Sequence, residues 1–229
     1  MSELVIFKSR PKQTFFAPEY EYYIFESKIE AIDFNLIKNF ILLQENIILR
    51  LPAANSNKNS VDGYTGLGTN STTSRFNQYN VFNWNLPEIQ KLKQEVYDNY
   101  IVFLKNFNVP RRKVYMQAWV NIMRTGEEIK PHLHSVDEFT YLSGHITVAC
   151  ENTSTVYISP INQINKPFEY KSRNEVAQLT IFQSNIPHYT TKHMGNSERI
   201  TIAFDLKVSE TYDSIKDHNF ILFDDPEPK

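Results

Sequence analysis

The sequence predicts a mainly β fold with flanking helices, an α+β chain whose strands form a barrel or a sandwich. Apolar residues recur at helical spacing only in the first half of the chain. After Pro110, short segments rich in β-branched and aromatic residues follow one another, separated by Asn, Pro, Ser and Gly. Helices followed by many short strands are typical of an all-β barrel or sandwich that has its helices on one face.

Two amphipathic helices are predicted before the strands, over 33–50 and 87–107. In both segments apolar residues recur every three or four positions, Asp33 can cap the first helix, and Pro87 suits the first turn of the second. Between them, 52–80 is rich in Asn, Ser, Thr and Gly and has neither helical nor strand periodicity. A loop of this length is predicted to be a functional lid or to be disordered.

The strand segments follow in close succession in the second half of the chain. Each combines β-branched or aromatic residues and ends at a turn signal. The predicted strands span 114–123, 141–150, 155–159, 178–183, 188–192 and 199–207.

The composition is that of one globular unit. Hydrophobic residues make up 41% and aromatic residues 14% of 229 residues, which excludes the apolar-poor profile of disordered chains. We predict a single domain over 1–229, in which 1–110 is an N-terminal helical and loop portion packed on the barrel and 111–208 is the β-barrel core.

The net charge and the cysteine content indicate which kinds of binding partner and which cellular compartment to expect. The formal net charge of −2 gives no sequence-wide basic field for nucleic acid or anionic lipid, so neither a nucleic-acid partner nor a membrane is indicated. The single cysteine, Cys150, cannot form an internal disulfide, and no apolar run approaches a membrane span. We therefore expect a soluble cytoplasmic protein, and its oligomeric state stays open.

Two histidines stand two residues apart, at His132 and His134. In an extended segment such residues point to the same face, so both imidazoles could reach one metal ion. Imidazole nitrogens suit iron, zinc, copper and nickel, and the remaining ligands must come from elsewhere in the chain. His188, which follows the predicted strand 178–183, is the leading candidate for a third ligand.

An arginine follows His188 by eleven residues and opens an apolar strand. Arg199 begins the segment Arg199-Ile200-Thr201-Ile202-Ala203-Phe204. A buried guanidinium needs an anionic partner, because an unpaired buried charge is costly. A bound carboxylate suits it, since the planar guanidinium fork can make two hydrogen bonds to one carboxylate.

Several short motifs stand in a characteristic order between 115 and 206. They are Trp119-Val120-Asn121, Gly126, His132-Leu133-His134, Ser143-Gly144, Phe182-Gln183-Ser184, His188 and Glu198-Arg199-Ile200. In order and spacing they resemble the Fe(II)/2-oxoglutarate oxygenases of the prolyl-4-hydroxylase-like superfamily, including members found in bacteriophages.

This resemblance implies a fold, an activity and a set of roles. The fold would be a double-stranded β-helix, the jelly-roll or cupin-like barrel, and the activity that of a dioxygenase hydroxylating a C–H bond of an unknown substrate, such as a peptidyl side chain. The cofactors would be Fe(II), the small-molecule cosubstrate 2-oxoglutarate, and O₂. His132, His134 and His188 would bind the iron as the catalytic residues. Arg199 would hold the far carboxylate of 2-oxoglutarate, with Asn121 and Tyr115 as further contacts.

The chain departs from the pattern of that superfamily at two places. Most members have an Asp or Glu where this chain has His134, so either Asp137 or Glu138 supplies a carboxylate or three histidines bind the iron. The two tyrosines that often follow Ser-Gly are replaced by His145-Ile146-Thr147. We interpret His145, His193 and His218 as structural or exposed residues, not ligands.

Two alternatives from other classes stay open. Gly126, His132, His134, Glu138 and Gly144 nearly match the first cupin motif, and a cupin would bind its metal with three histidines and Glu138, without Arg199 or 2-oxoglutarate. The glycines of the second cupin motif are missing before His188. The second alternative is a non-catalytic barrel that acts as an interaction or virion-associated module, because a fold alone does not guarantee activity.

Overall fold

The structure is a computed structural model that describes residues 2–10, 18–54, 62–134, 141–161, 168–208 and 219–226. It contains ten strands, two α-helices and two short 3₁₀ turns in these ranges. In chain order they are β1 (Glu3–Ser9), β2 (Tyr20–Lys28), α1 (Phe34–Leu49), the 3₁₀ turns Thr73–Arg75 and Val81–Asn83, α2 (Pro87–Asn106), β3 (Val114–Met123), β4 (Leu142–Ala149), β5 (Ser154–Ile158), β6 (Glu169–Arg173), β7 (Gln178–Gln183), β8 (His188–Thr190), β9 (Arg199–Val208) and β10 (Ile221–Asp224).

The described strands form two antiparallel sheets. The large sheet has the order β1-β2-β7-β4-β9-β3-β10, and the small sheet has the order β6-β5-β8. The sheets face each other, since the Tyr157 hydroxyl on β5 lies 2.7 Å from His145 Nε2 on β4, and the Tyr170 hydroxyl on β6 donates to Glu26 on β2 at 3.0 Å. The predicted mainly β fold and double-stranded β-helix are confirmed, with two separate sheets instead of one closed barrel.

Both helices pack on the face of the large sheet that points away from the small sheet. Their buried residues, which include Ile37, Ile41, Leu92 and Val96, form one core with apolar residues of that sheet. Burying such aliphatic side chains stabilises the fold by about 1.5–3 kcal/mol each. The Asp33 carboxylate accepts from the Leu36 amide at 3.0 Å, as predicted for a cap, and Pro87 begins α2.

The N-terminal portion contributes strands as well as helices. β1 and β2 pair with each other, and β2 pairs with β7 through register partners such as Phe25 and Ile181, so both strands extend the large sheet. We did not predict these two strands from the sequence, nor β6 and β10. The division of 1–229 into a helical and loop portion and a barrel core stays a prediction.

The second part of the predicted loop, 62–80, is bonded to β3. The Thr72 hydroxyl donates to the Val120 carbonyl at 2.8 Å, and the Thr73 hydroxyl donates to Asn121 Oδ1 at 2.6 Å. Residues 55–61 of that loop lie outside the described residues. The predicted lid therefore stays a prediction, whereas 62–80 forms a wall beside the inner face of β3.

In the ranges that the structure describes, no helix has the length and apolar character needed to cross a membrane.

Candidate metal centre

Three histidines meet between the two sheets. His132 and His188 form an antiparallel bridge in which the His132 amide donates to the His188 carbonyl at 3.1 Å and the reverse bond measures 2.9 Å. The His134 amide donates to the Ser184 carbonyl at 3.2 Å. One ligand atom from each of His132, His134 and His188 lies within 4.8 Å of the other two, so the structure brings together all three predicted ligands.

The hydrogen bonds of the rings leave one nitrogen of each ring for a metal. His132 Nδ1 lies 2.9 Å from the Lys130 carbonyl, and His188 Nδ1 lies 3.1 Å from the Ile186 carbonyl. His134 Nδ1 lies 2.6 Å from Asp205 Oδ1. Carbonyl and carboxylate oxygens only accept, so each Nδ1 is assigned the proton and each Nε2 keeps a free lone pair. This is the tautomer that a metal-binding histidine needs.

Burial favours the neutral form of His132 and His188. Burial, with His134 nearby, lowers the pKa of His132 to about 4. Burial, with His132 nearby, lowers the pKa of His188 well below its ordinary value, and that side chain is only 7% exposed. Neutral imidazoles at pH 7 present lone pairs to a cation without first releasing a proton. The donor set of three imidazole nitrogens therefore fits Fe(II).

The three histidines line a cavity of about 140 Å³ between the sheets. Four residues that alternate along β9 also line it, because successive side chains of a strand point to opposite faces. They are Arg199, Thr201, Ala203 and Asp205. Other walls come from Phe76, Trp119, Asn121, His145, Thr155, Phe182 and Thr190. The metal cluster and Arg199 thus share one cavity.

Arg199 is a buried cation without a carboxylate partner among the described residues. Its side chain is 2% exposed, Nη1 lies 3.4 Å from Met123 Sδ, and Nε has no hydrogen-bond partner. The Asn174 amide oxygen, when turned toward the guanidinium, accepts from Nη2 at 3.2 Å. Burial lowers the pKa of Arg199, since a desolvated cation without a counterion is disfavoured. A carboxylate entering the cavity would supply the missing charge.

The two further residues predicted to contact the cosubstrate differ in position. Asn121 lines the cavity, and its Oδ1 accepts from Thr73 Oγ1 at 2.6 Å and from Trp119 Nε1 at 3.2 Å, which leaves its amide nitrogen for a ligand. Tyr115 lies six positions earlier on β3, roughly 20 Å away along the strand, and is not among the cavity residues. Its role stays a prediction that the cavity does not support.

The other histidines have separate roles. His193 is buried away from the cavity, with Nδ1 2.9 Å from Thr153 Oγ1 and Nε2 2.7 Å from the Ser197 carbonyl, which is a structural arrangement. His145 lines the cavity, and burial lowers its pKa to about 3, so it is neutral. His218 lies outside the described residues, as do Asp137 and Glu138, the two alternative carboxylate ligands.

Asp205 is a site residue that the sequence analysis missed. Besides His134, its Oδ1 accepts from the Ser143 hydroxyl at 2.6 Å. The alternation Arg199, Thr201, Ala203, Asp205 was visible in the sequence and places Asp205 on the face of Arg199. That alternation alone could have indicated Asp205 as a cavity residue.

Comparison with known families tests the resemblance seen in the sequence. Residues 117–205 match the family described as putative 2OG-Fe(II) oxygenases. The match spans less than half of the chain but includes His132, His134, His188, Arg199 and Asp205. It confirms the resemblance, and with it the cofactors that this family implies, namely Fe(II), 2-oxoglutarate and O₂.

Solved structures similar to this chain include three oxygenases. An oxidoreductase of the 2OG-Fe(II) oxygenase family from Burkholderia pseudomallei is 13% identical, with a TM-score of 0.43, over 59% of this chain and 62% of that one. A Pseudomonas putida prolyl-4-hydroxylase is 11% identical, with a TM-score of 0.41, over 54% and 67%. The viral collagen prolyl hydroxylase of Paramecium Bursaria Chlorella virus-1 is 10% identical, with a TM-score of 0.48, over 80% and 96%. The chain thus spans less than two thirds of the first of these structures. No curated protein matches it.

Proposed function

We propose that this protein is an Fe(II)- and 2-oxoglutarate-dependent dioxygenase that hydroxylates a C–H bond of its substrate. The proposal rests on one observation: three imidazoles with free Nε2 lone pairs and a buried guanidinium without a carboxylate partner line the same cavity. A metal site alone would not need Arg199, and a carboxylate site alone would not need the histidines. A 2-oxoglutarate molecule bound to iron engages both.

Each residue has a defined task in this proposal. His132, His134 and His188 would hold Fe(II) through their imidazole nitrogens. Arg199 binds the far carboxylate of 2-oxoglutarate with two parallel hydrogen bonds, and the Asn121 amide nitrogen offers a further donor. The iron and 2-oxoglutarate would supply the oxidising chemistry, in which one oxygen atom of O₂ enters the substrate and the other enters succinate, with release of CO₂.

An aromatic wall borders the metal centre on the side of β3. The rings of Phe76 and Trp119 lie 5.9 Å apart, and the Trp119 and His134 rings lie 5.8 Å apart. These side chains would shield a metal bound by the histidines from water and would offer an apolar surface to a substrate C–H bond. The substrate is unassigned, and a peptidyl side chain stays the prediction, as do the cytoplasmic location and the relation to bacteriophage proteins.

The test is an anaerobic titration of the Fe(II)-loaded protein with 2-oxoglutarate, monitored by visible absorption. Chelation of Fe(II) by 2-oxoglutarate produces a weak charge-transfer band, so we expect a band that grows and saturates. His188→Ala should bind neither iron nor, through it, 2-oxoglutarate, because it removes one of the three imidazole ligands. Circular dichroism of this variant checks that the fold is retained.

The other outcomes favour the other classes. Iron binding without a band would contradict the role of 2-oxoglutarate and favour a metal-binding cupin. Absence of iron binding in the folded wild-type protein would contradict the enzyme proposal and favour a non-catalytic module. Where the band forms, succinate release in the presence of O₂ then serves to screen candidate substrates.

A further inference from the structure

His134 differs from the other two histidines in the partner that orients its ring. The Nδ1 atoms of His132 and His188 each bond a backbone carbonyl two residues earlier, at Lys130 and Ile186, so local chain geometry fixes both rings. His134 Nδ1 instead bonds Asp205 Oδ1 at 2.6 Å. This partner is a side chain on β9, far from His134 in the sequence.

Asp205 is itself held in place by a serine pair. The Ser143 hydroxyl on β4 donates to Asp205 Oδ1 at 2.6 Å, and it lies 2.8 Å from the Ser184 hydroxyl. Ser143 and Asp205 are register partners in the large sheet, so the carboxylate sits on a rigid element. The side chains of His134 and Asp205 are 8% and 20% exposed, so little water competes for the bond between them.

The Asp205 carboxylate also contributes a negative charge close to the three imidazoles. Three neutral imidazoles bring no negative charge to a divalent cation, whereas a site of two histidines and a carboxylate brings one. Asp205 places a negative charge one hydrogen bond beyond the metal, where it makes His134 a more basic ligand. The spacing of residues around His132 would not indicate this role of Asp205, because β9 lies about seventy residues later in the chain.

We propose that Asp205 is a positioning residue of the metal centre, which fixes the ring of His134 and provides the negative charge that the three-histidine set lacks. This inference rests on the proposed metal centre. It assigns to Asp205 no contact with the metal or the substrate. Substituting Asp205 should therefore change the metal affinity and the geometry of the ligands directly, and turnover only as a consequence.

The experiment measures anaerobic Fe(II) and Co(II) binding by the wild type and three variants. Asp205→Asn keeps an oxygen acceptor and nearly the same shape but loses the charge, and Asp205→Ala loses both. Asp98→Asn is the matched control, because it makes the same change at an exposed aspartate on α2 that lies outside the cavity. The visible spectrum of the Co(II) form reports ligand geometry, and urea unfolding without metal reports stability.

We expect Asp205→Ala to weaken metal binding by about 10- to 100-fold and to alter the Co(II) spectrum, the usual effect of losing such a partner. The metal affinity of Asp205→Asn should lie between those of Asp205→Ala and the wild type, and Asp98→Asn should bind metal as the wild type does. If all variants bind metal as the wild type does and differ only in stability, the carboxylate is structural and the inference is wrong. Absence of metal binding in the wild type would overturn both the metal centre and this inference.

Discussion

The buried guanidinium of Arg199 allows a direct test of whether the cavity binds a carboxylate ligand. Its guanidinium is buried and no described carboxylate pairs with it, so the cation is stabilised mainly when an anion enters the cavity. Arg199→Ala should raise the dissociation constant for 2-oxoglutarate roughly 30-fold or more, since losing one partner of a buried ion pair costs about 2–5 kcal/mol. The affinity for Fe(II) should not change, because Arg199 is not a ligand.

Isothermal titration calorimetry under anaerobic conditions measures both constants. Arg173→Ala is the matched control, since this arginine lies exposed on β6 and outside the cavity. An unchanged affinity for 2-oxoglutarate in Arg199→Ala would remove Arg199 from the cosubstrate site.

Glu26 is a second buried charge, at the open side of the two sheets. Its side chain is 8% exposed, Oε1 has no hydrogen-bond partner, and burial, with Glu3 opposite, raises its pKa above the ordinary value of 4.5. The folded protein thus binds a proton more tightly than the unfolded chain. Stability from this group is greatest below the ordinary pKa and is lost as the pH rises through the raised pKa.

Glu26→Gln should therefore stabilise the fold at pH 7, by about 1 kcal/mol, the scale of one poorly satisfied buried polar atom. The gain should disappear near pH 4, where the wild-type carboxyl is protonated in both states. Urea unfolding between pH 4 and 8 measures this gain, with Glu128→Gln as the control because Glu128 is exposed after β3 and is not among the groups that shift the Glu26 pKa. A gain that does not depend on pH would contradict this explanation.

At the residue level, the sequence was most informative where spacing determines geometry. The pair at i and i+2 predicted that His132 and His134 would converge, and the arginine in an apolar strand predicted an unpaired cation. Asp205 was missed because its partners lie in other segments: the register of β4 and β9 places Ser143 opposite Asp205, and only the folded chain brings His134 to the same carboxylate. The role of Tyr115 stays a prediction, since Tyr115 lies six positions before Asn121 on β3 and is not among the residues that line the cavity.

Among the elements, β4 is the central strand of the large sheet. It lies between β7 and β9, and Gly144 packs under the ring of Phe204. A Cβ at this position would lie 2.2 Å from Phe204 Cζ and 2.4 Å from the Thr180 carbonyl oxygen. The backbone oxygen cannot move without breaking the pairing of β4 with β7, so this strand requires glycine.

Gly144→Ala should destabilise the protein by about 1–3 kcal/mol or more, the range of overpacked cores. Urea unfolding measures the loss as a lower midpoint at an unchanged slope. The double variant Gly144→Ala, Phe204→Leu should recover only part of it, because the clash with Thr180 remains. Wild-type stability in Gly144→Ala would show that the strand can shift to accept a methyl group.

The elements that were predicted and those that were missed differ in their environment. α1, α2, β3, β7 and β9 have strong apolar periodicity or long apolar runs, because they face the main core. Three of the four missed strands are edge strands, β1 and β10 in the large sheet and β6 in the small sheet, whereas β2 is paired on both sides and was missed despite its buried residues. β6 reads Glu-Tyr-Lys-Ser-Arg, an edge strand with mostly exposed residues, and β10 has four residues. Such strands form through pairing with a neighbour, which sequence periodicity does not reveal.

For the whole molecule, a metal ion at this centre would connect the two sheets. His188 belongs to β8 in the small sheet, whereas His134 is bonded to Asp205 in the large sheet. An ion bound by His132, His134 and His188 therefore stabilises the folded chain, because the unfolded chain does not hold the three rings together. At a hundredfold excess over the dissociation constant, the gain is about 2.7 kcal/mol.

This coupling predicts that anaerobic Fe(II) or Co(II) raises the melting temperature of the wild type by about 5–10 °C. Mg²⁺ should have no such effect, since it prefers oxygen ligands to three imidazoles. The shift should be absent in His188→Ala and should reverse on adding a chelator. If Mg²⁺ stabilises the protein as well as Fe(II) does, the ion binds at carboxylates elsewhere, and the histidine cluster is not the centre that joins the sheets.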